Sequence, residues 1–166
     1  MKAWGAPPVF ETIPTFLRTL DRWVVWAGVR KGNTAKFTKM PYQPAQPRKP
    51  ASTRDPAHWS TFDLACQCYR DFYTELSGIG FVLTHVPGLP PPRLIAIDLD
   101  RCTIGDSRLT VVRNLGMYVE HSPSLSGFRA LGFGIIPWET LNTEVGVEIY
   151  DGRTPRYVTI TGREIT

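Results

Sequence analysis

Two carboxylates stand two residues apart in Ile95-Ala96-Ile97-Asp98-Leu99-Asp100, at the end of an apolar run. The strand period of two turns both side chains to one face. Like charges that close repel unless a cation offsets them, and a hard divalent ion such as Mg²⁺ or Mn²⁺ takes oxygen ligands of this kind. The same pattern also suits a strand that ends in solvent. A third acid, Glu148, lies within the apolar run Val147-Glu148-Ile149-Tyr150, where a carboxylate needs a partner or a metal. Glu148 and Tyr150 share one strand face and Asp151 takes the other. Between these acids, Ser122-Pro123-Ser124-Leu125-Ser126-Gly127-Phe128-Arg129 gathers hydroxyls, backbone N–H groups and a guanidinium on one turn. Such a set suits a polyphosphate, although a turn of this composition is also an ordinary loop.

The elements that must position these groups belong to a chain of 166 residues, a length that fits one domain. Hydrophobic residues make up 42% and charged residues 20%, enough for a core and too little charge for wholesale disorder. No apolar run approaches the roughly 18 residues of a membrane span, and the first residues lack a secretory apolar stretch, so membrane and secreted readings drop out. Cys66, Cys68 and Cys102 form no zinc pattern and read as reduced thiols in a cytoplasmic protein.

The net charge of +4 is uneven: residues 1–60 carry +7 and residues 61–166 carry −3. The halves read as a basic N-terminal part, 1–60, and an acidic part, 61–166, of one domain, 1–166: one surface for an anion such as nucleic acid or nucleotide and another with carboxylates for a separate purpose, although a basic tail that only aids solubility fits the same charges. From Arg30 to Arg54 there are seven basic residues and no acid, interleaved with Phe37, Tyr42 and Pro41, Pro44, Pro47 and Pro50. The prolines argue against a helix or a central strand and predict an extended basic loop or short edge strand. Arg30, Lys31, Lys36, Arg48 and Lys49 are its candidate phosphate-backbone contacts, with Phe37 or Tyr42 offering a base-stacking surface or packing back on the domain.

Periodicity predicts a helix over 13–20 and a buried strand over 23–29. Asp55 and Pro56 begin a helix that carries Trp59, Phe62, Ala65, Tyr69, Phe72 and Leu76 to about Gly78. Strands over 79–84 and 94–100 follow, joined by a proline-rich turn at 87–92. A helix capped by Asp106 or Ser107 runs to about Tyr118, and strands cover 128–135, 145–150 and 157–161. The sum is a single compact α+β domain with a mixed or antiparallel sheet flanked by helices. Cys66 faces the core of its helix and Cys68 does not share that face; His58, His85 and His121 have no ligand at helical spacing.

The acidic strand, the serine turn and the Glu148 strand, followed by Arg156-Tyr157-Val158-Thr159-Ile160-Thr161-Gly162, resemble in order and spacing the catalytic domain of phage and plasmid primase-polymerases of the archaeo-eukaryotic primase superfamily. Trp23-Val24-Val25-Trp26, Lys39-Met40-Pro41, Asp55-Pro56 and Gly78-Ile79-Gly80-Phe81-Val82 look like the lead-in of such proteins, so the likeness covers about residues 20–161. It implies an RRM-like catalytic core. It implies template-directed nucleotidyl transfer with two Mg²⁺ or Mn²⁺ ions on Asp98, Asp100 and Glu148 as metal ligands and catalytic residues. Ser124, Ser126, Arg129 and Lys39 would hold the nucleoside triphosphate. Single-stranded DNA would be the template, a helicase domain or protein a companion, and a bacterial or phage-infected cell the setting. Arg129 stands where the family has histidine: it can grip phosphate but cannot donate a proton at neutral pH. Leu125 stands where glycine is commoner, which bears on the turn's backbone.

Two other readings fit the same charges. One is a catalytically inactive primase-like module that binds DNA in replication initiation, the other a metal-dependent nuclease. The nuclease lacks a lysine beside the third acid.

Overall fold

The computed structural model describes residues 4–30, 32, 37–85, 93–142 and 144–165. The order is α1 (Thr15–Arg18), β1 (Trp23–Arg30), β2 (Phe37–Gln43), β3 (Gln46–Pro50), α2 (Phe62–Asp71), β4 (Gly78–Val82), β5 (Arg93–Leu99), α3 (Ser107–Asn114), β6 (Tyr118–His121), β7 (Phe128–Gly134), β8 (Thr140–Asn142), β9 (Val147–Tyr150) and β10 (Tyr157–Ile160). The strands form two five-stranded sheets, β10-β4-β1-β2-β3 and β6-β7-β5-β9-β8. Every pairing between them is antiparallel. The α+β expectation holds in this antiparallel form. No helix among the described residues is long and apolar enough to cross a membrane.

Alternation along β1 sends Trp23 and Val25 into a core with Ile79, Phe81, Val158 and Ile160, closed by Ile13, Leu17 and the Phe62, Ala65 and Cys66 face of α2. Ala96, Leu131 and Tyr150 of the second sheet join it, so one continuous core ties the sheets together. The opposite face of the second sheet packs Ile95, Ile97, Val119 and Ala130 against Leu109 and Val112 of α3. Cys68 is buried too, contrary to the narrow helix face expected of it, and burial pushes the Cys66 thiol up to about 12 and Cys68 to about 11. These thiols pack in the core, where burial disfavours the reactive thiolate.

Several boundaries moved for identifiable reasons. The helix expected from Asp55 is two pieces. Asp55 caps only a single 3-10 turn, Pro56–His58, and Ser60 then exchanges backbone hydrogen bonds with Trp23 (2.9 and 3.1 Å), which breaks the helical path. Thr61 restarts it by accepting the Leu64 N–H. Within the described part of the basic segment, 37–50 is neither a loop nor a lone edge strand: β2 is interior, paired to β1 from Phe37 to Tyr42 despite Pro41, and β3 is the edge. Pro41 fits because its carbonyl, which accepts the Ala51 N–H (2.9 Å), and its missing N–H face the β3 side, where the ladder bulges at Tyr42 and Gln43. Phe37 stacks on Trp4 and Tyr42 packs on the core, so both aromatics serve the fold. Helix α1 is one turn, and β6 and β8 were not anticipated. The proline-rich turn at 87–92 lies outside the described residues.

Candidate functional site

Register places the chemistry. Asp98 of β5 pairs with Glu148 of β9 on one side and Arg129 of β7 on the other, and Arg129 pairs with Glu120 of β6. A single cross-strand row therefore reads Glu148, Asp98, Arg129, Glu120: three carboxylates and one guanidinium, on neighbouring strands. Asp100 sits one residue past β5, its N–H still donating to the Gly146 carbonyl at 2.9 Å. The three predicted acids thus converge on one end of the second sheet. Burial raises the Glu148 carboxyl, and repulsion from Asp98 and Asp100 raises it further.

Arg129 is 5% exposed and fully engaged. Its Nε donates to Asp98 Oδ1 at 2.6 Å and its Nη2 to Oδ2 at 2.9 Å, a two-pronged ion pair; Nη1 donates to the Thr159 carbonyl and, at 2.6 Å, to Thr159 Oγ1. Because Thr159 belongs to β10, this one side chain joins the two sheets.

Beside it lies a pocket of about 200 Å³ lined by Lys39, Asp98, Arg129, Tyr150, Arg156, Tyr157, Val158 and Thr159. Lys39 arrives from β2 in the first sheet, and the Tyr157 hydroxyl donates to its carbonyl at 2.7 Å. Burial, then the nearby Arg129 charge, bring the Lys39 ammonium down to about 8, while Asp98, Asp100 and Glu148 pull it back up. Arg156 lies 3.6 Å from the Tyr150 ring, and the Tyr150 hydroxyl donates to Glu148 Oε2. Its buried Nε has no hydrogen-bond partner. Among the described residues neither Lys39 nor Arg156 forms a direct ion pair, so the pocket wall presents two cations with no carboxylate in contact. An anion of phosphate chemistry is the complementary ligand.

No protein-family model matches the chain, and no curated protein matches it.

The serines stand apart from this pocket. Ser122, Ser124 and Ser126 join their hydroxyls in a chain (3.2 and 2.7 Å) on an exposed turn, and neither Ser124 nor Ser126 lines the cavity. Leu125 holds φ +59°, the left-handed conformation that glycine adopts freely, so the turn keeps its shape and the side chain carries the strain. Leu125→Gly is expected to raise stability by up to about 1 kcal/mol, read as a higher urea midpoint with unchanged slope. Arg48 and Lys49 line a second groove, of about 410 Å³, with Gln46, Pro47 and Phe72 at the β3 edge. Arg30 closes β1, its guanidinium over the Phe37 ring. Lys31 and Lys36 lie outside the described residues.

Sequence reasoning missed two members of the site. Arg156 was visible only as part of the motif before β10. Glu120 is completely buried, accepts the Thr161 and Gly162 N–H groups and the Tyr118 hydroxyl, and is pushed up to about 7 by its burial. It pins the segment after β10 to β6. Its signal was an acid alternating with apolar residues in Tyr118-Val119-Glu120, the pattern that drew notice at Glu148.

For Mg²⁺ or Mn²⁺ the oxygen chemistry is right but its commitments are not. Both Asp98 oxygens accept from Arg129, and one Glu148 oxygen accepts from Tyr150. Among the described residues no group of three or more His, Cys, Asp or Glu side chains is placed to hold an ion. As arranged, these donors do not fit the two ions that the primase resemblance calls for.

Proposed function

We propose that this chain is a primase-polymerase-type domain that binds a nucleoside triphosphate in the pocket between its sheets and transfers the nucleotide to a primer or first nucleotide on a single-stranded DNA template. The observation that carries the reading is Asp98, which lines one cavity with Lys39 and Arg156 and stands in register with Glu148 on the neighbouring strand. A triphosphate offers negative charge to the cations, and the acids stand beside it, where a hydroxyl must be deprotonated. The basic residues on β1 and β3, Arg30, Arg48 and Lys49, supply a template-backbone contact on the sheet that also carries Lys39. Mg²⁺ or Mn²⁺ is the cofactor that the resemblance implies, and it would need Asp98 freed from Arg129; a helicase is the proposed companion.

The test is extension of a labelled primer on single-stranded DNA with Mg²⁺ or Mn²⁺, and the same reaction without primer. Asp100→Asn and Glu148→Gln leave the Asp98–Arg129 pair in place. Each is expected to reduce incorporation to the level of a protein-free control while circular dichroism stays native. Primer-free product would add priming to extension.

The grip of Arg129 on Asp98 favours a second reading, an inactive primase-like module that binds DNA. Absence of incorporation under either metal, together with a DNA gel shift unchanged in the Glu148→Gln variant, would replace the first reading with this one.

A further inference from the structure

We infer that Arg129 is a built-in cation that closes Asp98 to divalent metal in the free protein, and that a polyphosphate entering the pocket opens it by drawing the guanidinium onto its own oxygens. The inference rests on the proposed reading in one respect, that Asp98 takes up metal when the domain works.

The closed state is what the contacts describe. A guanidinium has a fork of donors that matches a carboxylate, and here two prongs meet both Asp98 oxygens while a third is tied to Thr159 on the other sheet. A divalent ion arriving at Asp98 would meet this fixed positive charge at hydrogen-bond range in a partly dry site, where like charges repel strongly. The acids flanking Arg129 in the row, Asp98 and Glu120, explain why a cation belongs at that position when no metal is there.

The opening follows from what else lines the pocket. Phosphate oxygens offer the same fork geometry as a carboxylate. Lys39 and Arg156 have no ion pair among the described residues, and the Arg156 Nε lacks any partner, so a polyphosphate is drawn to the very wall that Arg129 helps to form. Arg129 can then exchange one anion for another without being left buried and unpaired, the outcome that makes breaking such a pair costly. Asp98 is then released beside Asp100 and Glu148, with no guanidinium across its oxygens.

The experiment is Mn²⁺ binding to the full chain without nucleotide, followed by the electron paramagnetic resonance of free Mn²⁺, in wild type, Arg129→Gln and Asp98→Asn/Arg129→Gln. Wild type is expected to bind weakly, Arg129→Gln at least about tenfold more tightly, and the double variant to lose that gain. Wild-type binding as tight as that of Arg129→Gln would overturn the closure. If Arg129→Gln fails to fold, Arg129→Lys, which keeps the charge but not the fork, is expected to bind Mn²⁺ more tightly than wild type; equal binding overturns the closure as well. The opening is read on wild type itself, from the Arg129 Nε–H resonance in EDTA on adding inorganic tripolyphosphate or a deoxynucleoside triphosphate. A shift with either supports the exchange, and a response to the nucleotide alone shows that the base is needed too. Shifts at Lys39 or Arg156 with Arg129 unmoved would overturn it. Tight Mn²⁺ binding by Arg129→Gln alongside a failed primer extension would refute the polymerase reading while leaving the Arg129 closure standing.

Discussion

Replacing Asp98 with alanine is expected to lower the stability of the domain by about 3–5 kcal/mol, whatever it does to activity. The substitution strands Arg129, whose side chain is 6% exposed, with half of its hydrogen bonds gone and only Thr159 left to it. Glu120, one strand over, cannot take its place because it is already committed to Thr161, Gly162 and Tyr118. A buried charge that loses its partner is far more costly than a pair that is never built. Two companions separate these effects. Asp98→Asn keeps one carbonyl acceptor for the guanidinium and should lose less than alanine does. Asp98→Leu/Arg129→Met removes both charges from a site of similar volume and should return to within about 2 kcal/mol of wild type. Urea unfolding of the four proteins decides it: an alanine variant as stable as wild type would mean that the pair does not form. The consequence for function is direct, because lost activity in an Asp98→Ala variant would report folding as readily as chemistry. Asp100 and Glu148 are the cleaner probes.

The sequence made the acidic strand legible because its information is local. Six residues with apolar alternation and two aspartates specify both a strand and a face, and β5 and β9 formed where that pattern put them. What it does not carry is register. That Asp98 lies opposite Glu148 and Arg129 at once follows from pairings between segments some thirty to fifty residues apart, and no period within one segment encodes them. Arg129 shows the limit most clearly. Its type and place in the turn suggested a phosphate contact, whereas its register opposite Asp98 gives it an internal partner first. Proline misled in the same way at β2: Pro41 argues against a central strand only if its missing N–H faces a ladder that needs it, and here it faces the bulged side. Helix α2 began late because Ser60 was claimed by β1, a tertiary pairing that no capping rule contains.

Gly127→Ala is expected to cost about 3 kcal/mol or more and to lower the melting temperature by about 6–12 °C, although the residue does not line the pocket beside Arg129. A methyl group there would stand 2.1 Å from the Leu99 carbonyl oxygen and 3.4 Å from the Asp100 Cα. Both obstacles are backbone, so no rotamer change relieves the clash; the end of β5 and the start of β7 must part. That junction is where Leu99 pairs with Phe128, the Cys102 N–H donates to the Ser126 carbonyl at 3.2 Å, and the Ser122 N–H donates to the Gly127 carbonyl at 2.9 Å. Glycine is required here by close approach, since its φ is not in the left-handed region. Asp98 lies one pair further along the same ladder and Asp100 one residue beyond its end, so the separation propagates into the acid row. Nucleotide and metal responses should therefore fall together with stability in this variant, whereas Glu148→Gln separates them. Gly105→Ala provides the control: nothing lies within 4 Å of its added methyl group, and its melting curve should overlay that of wild type to within about 0.5 kcal/mol. Equal stability of the two alanine variants would show that β5 and β7 do not meet as closely at Gly127 as their register requires.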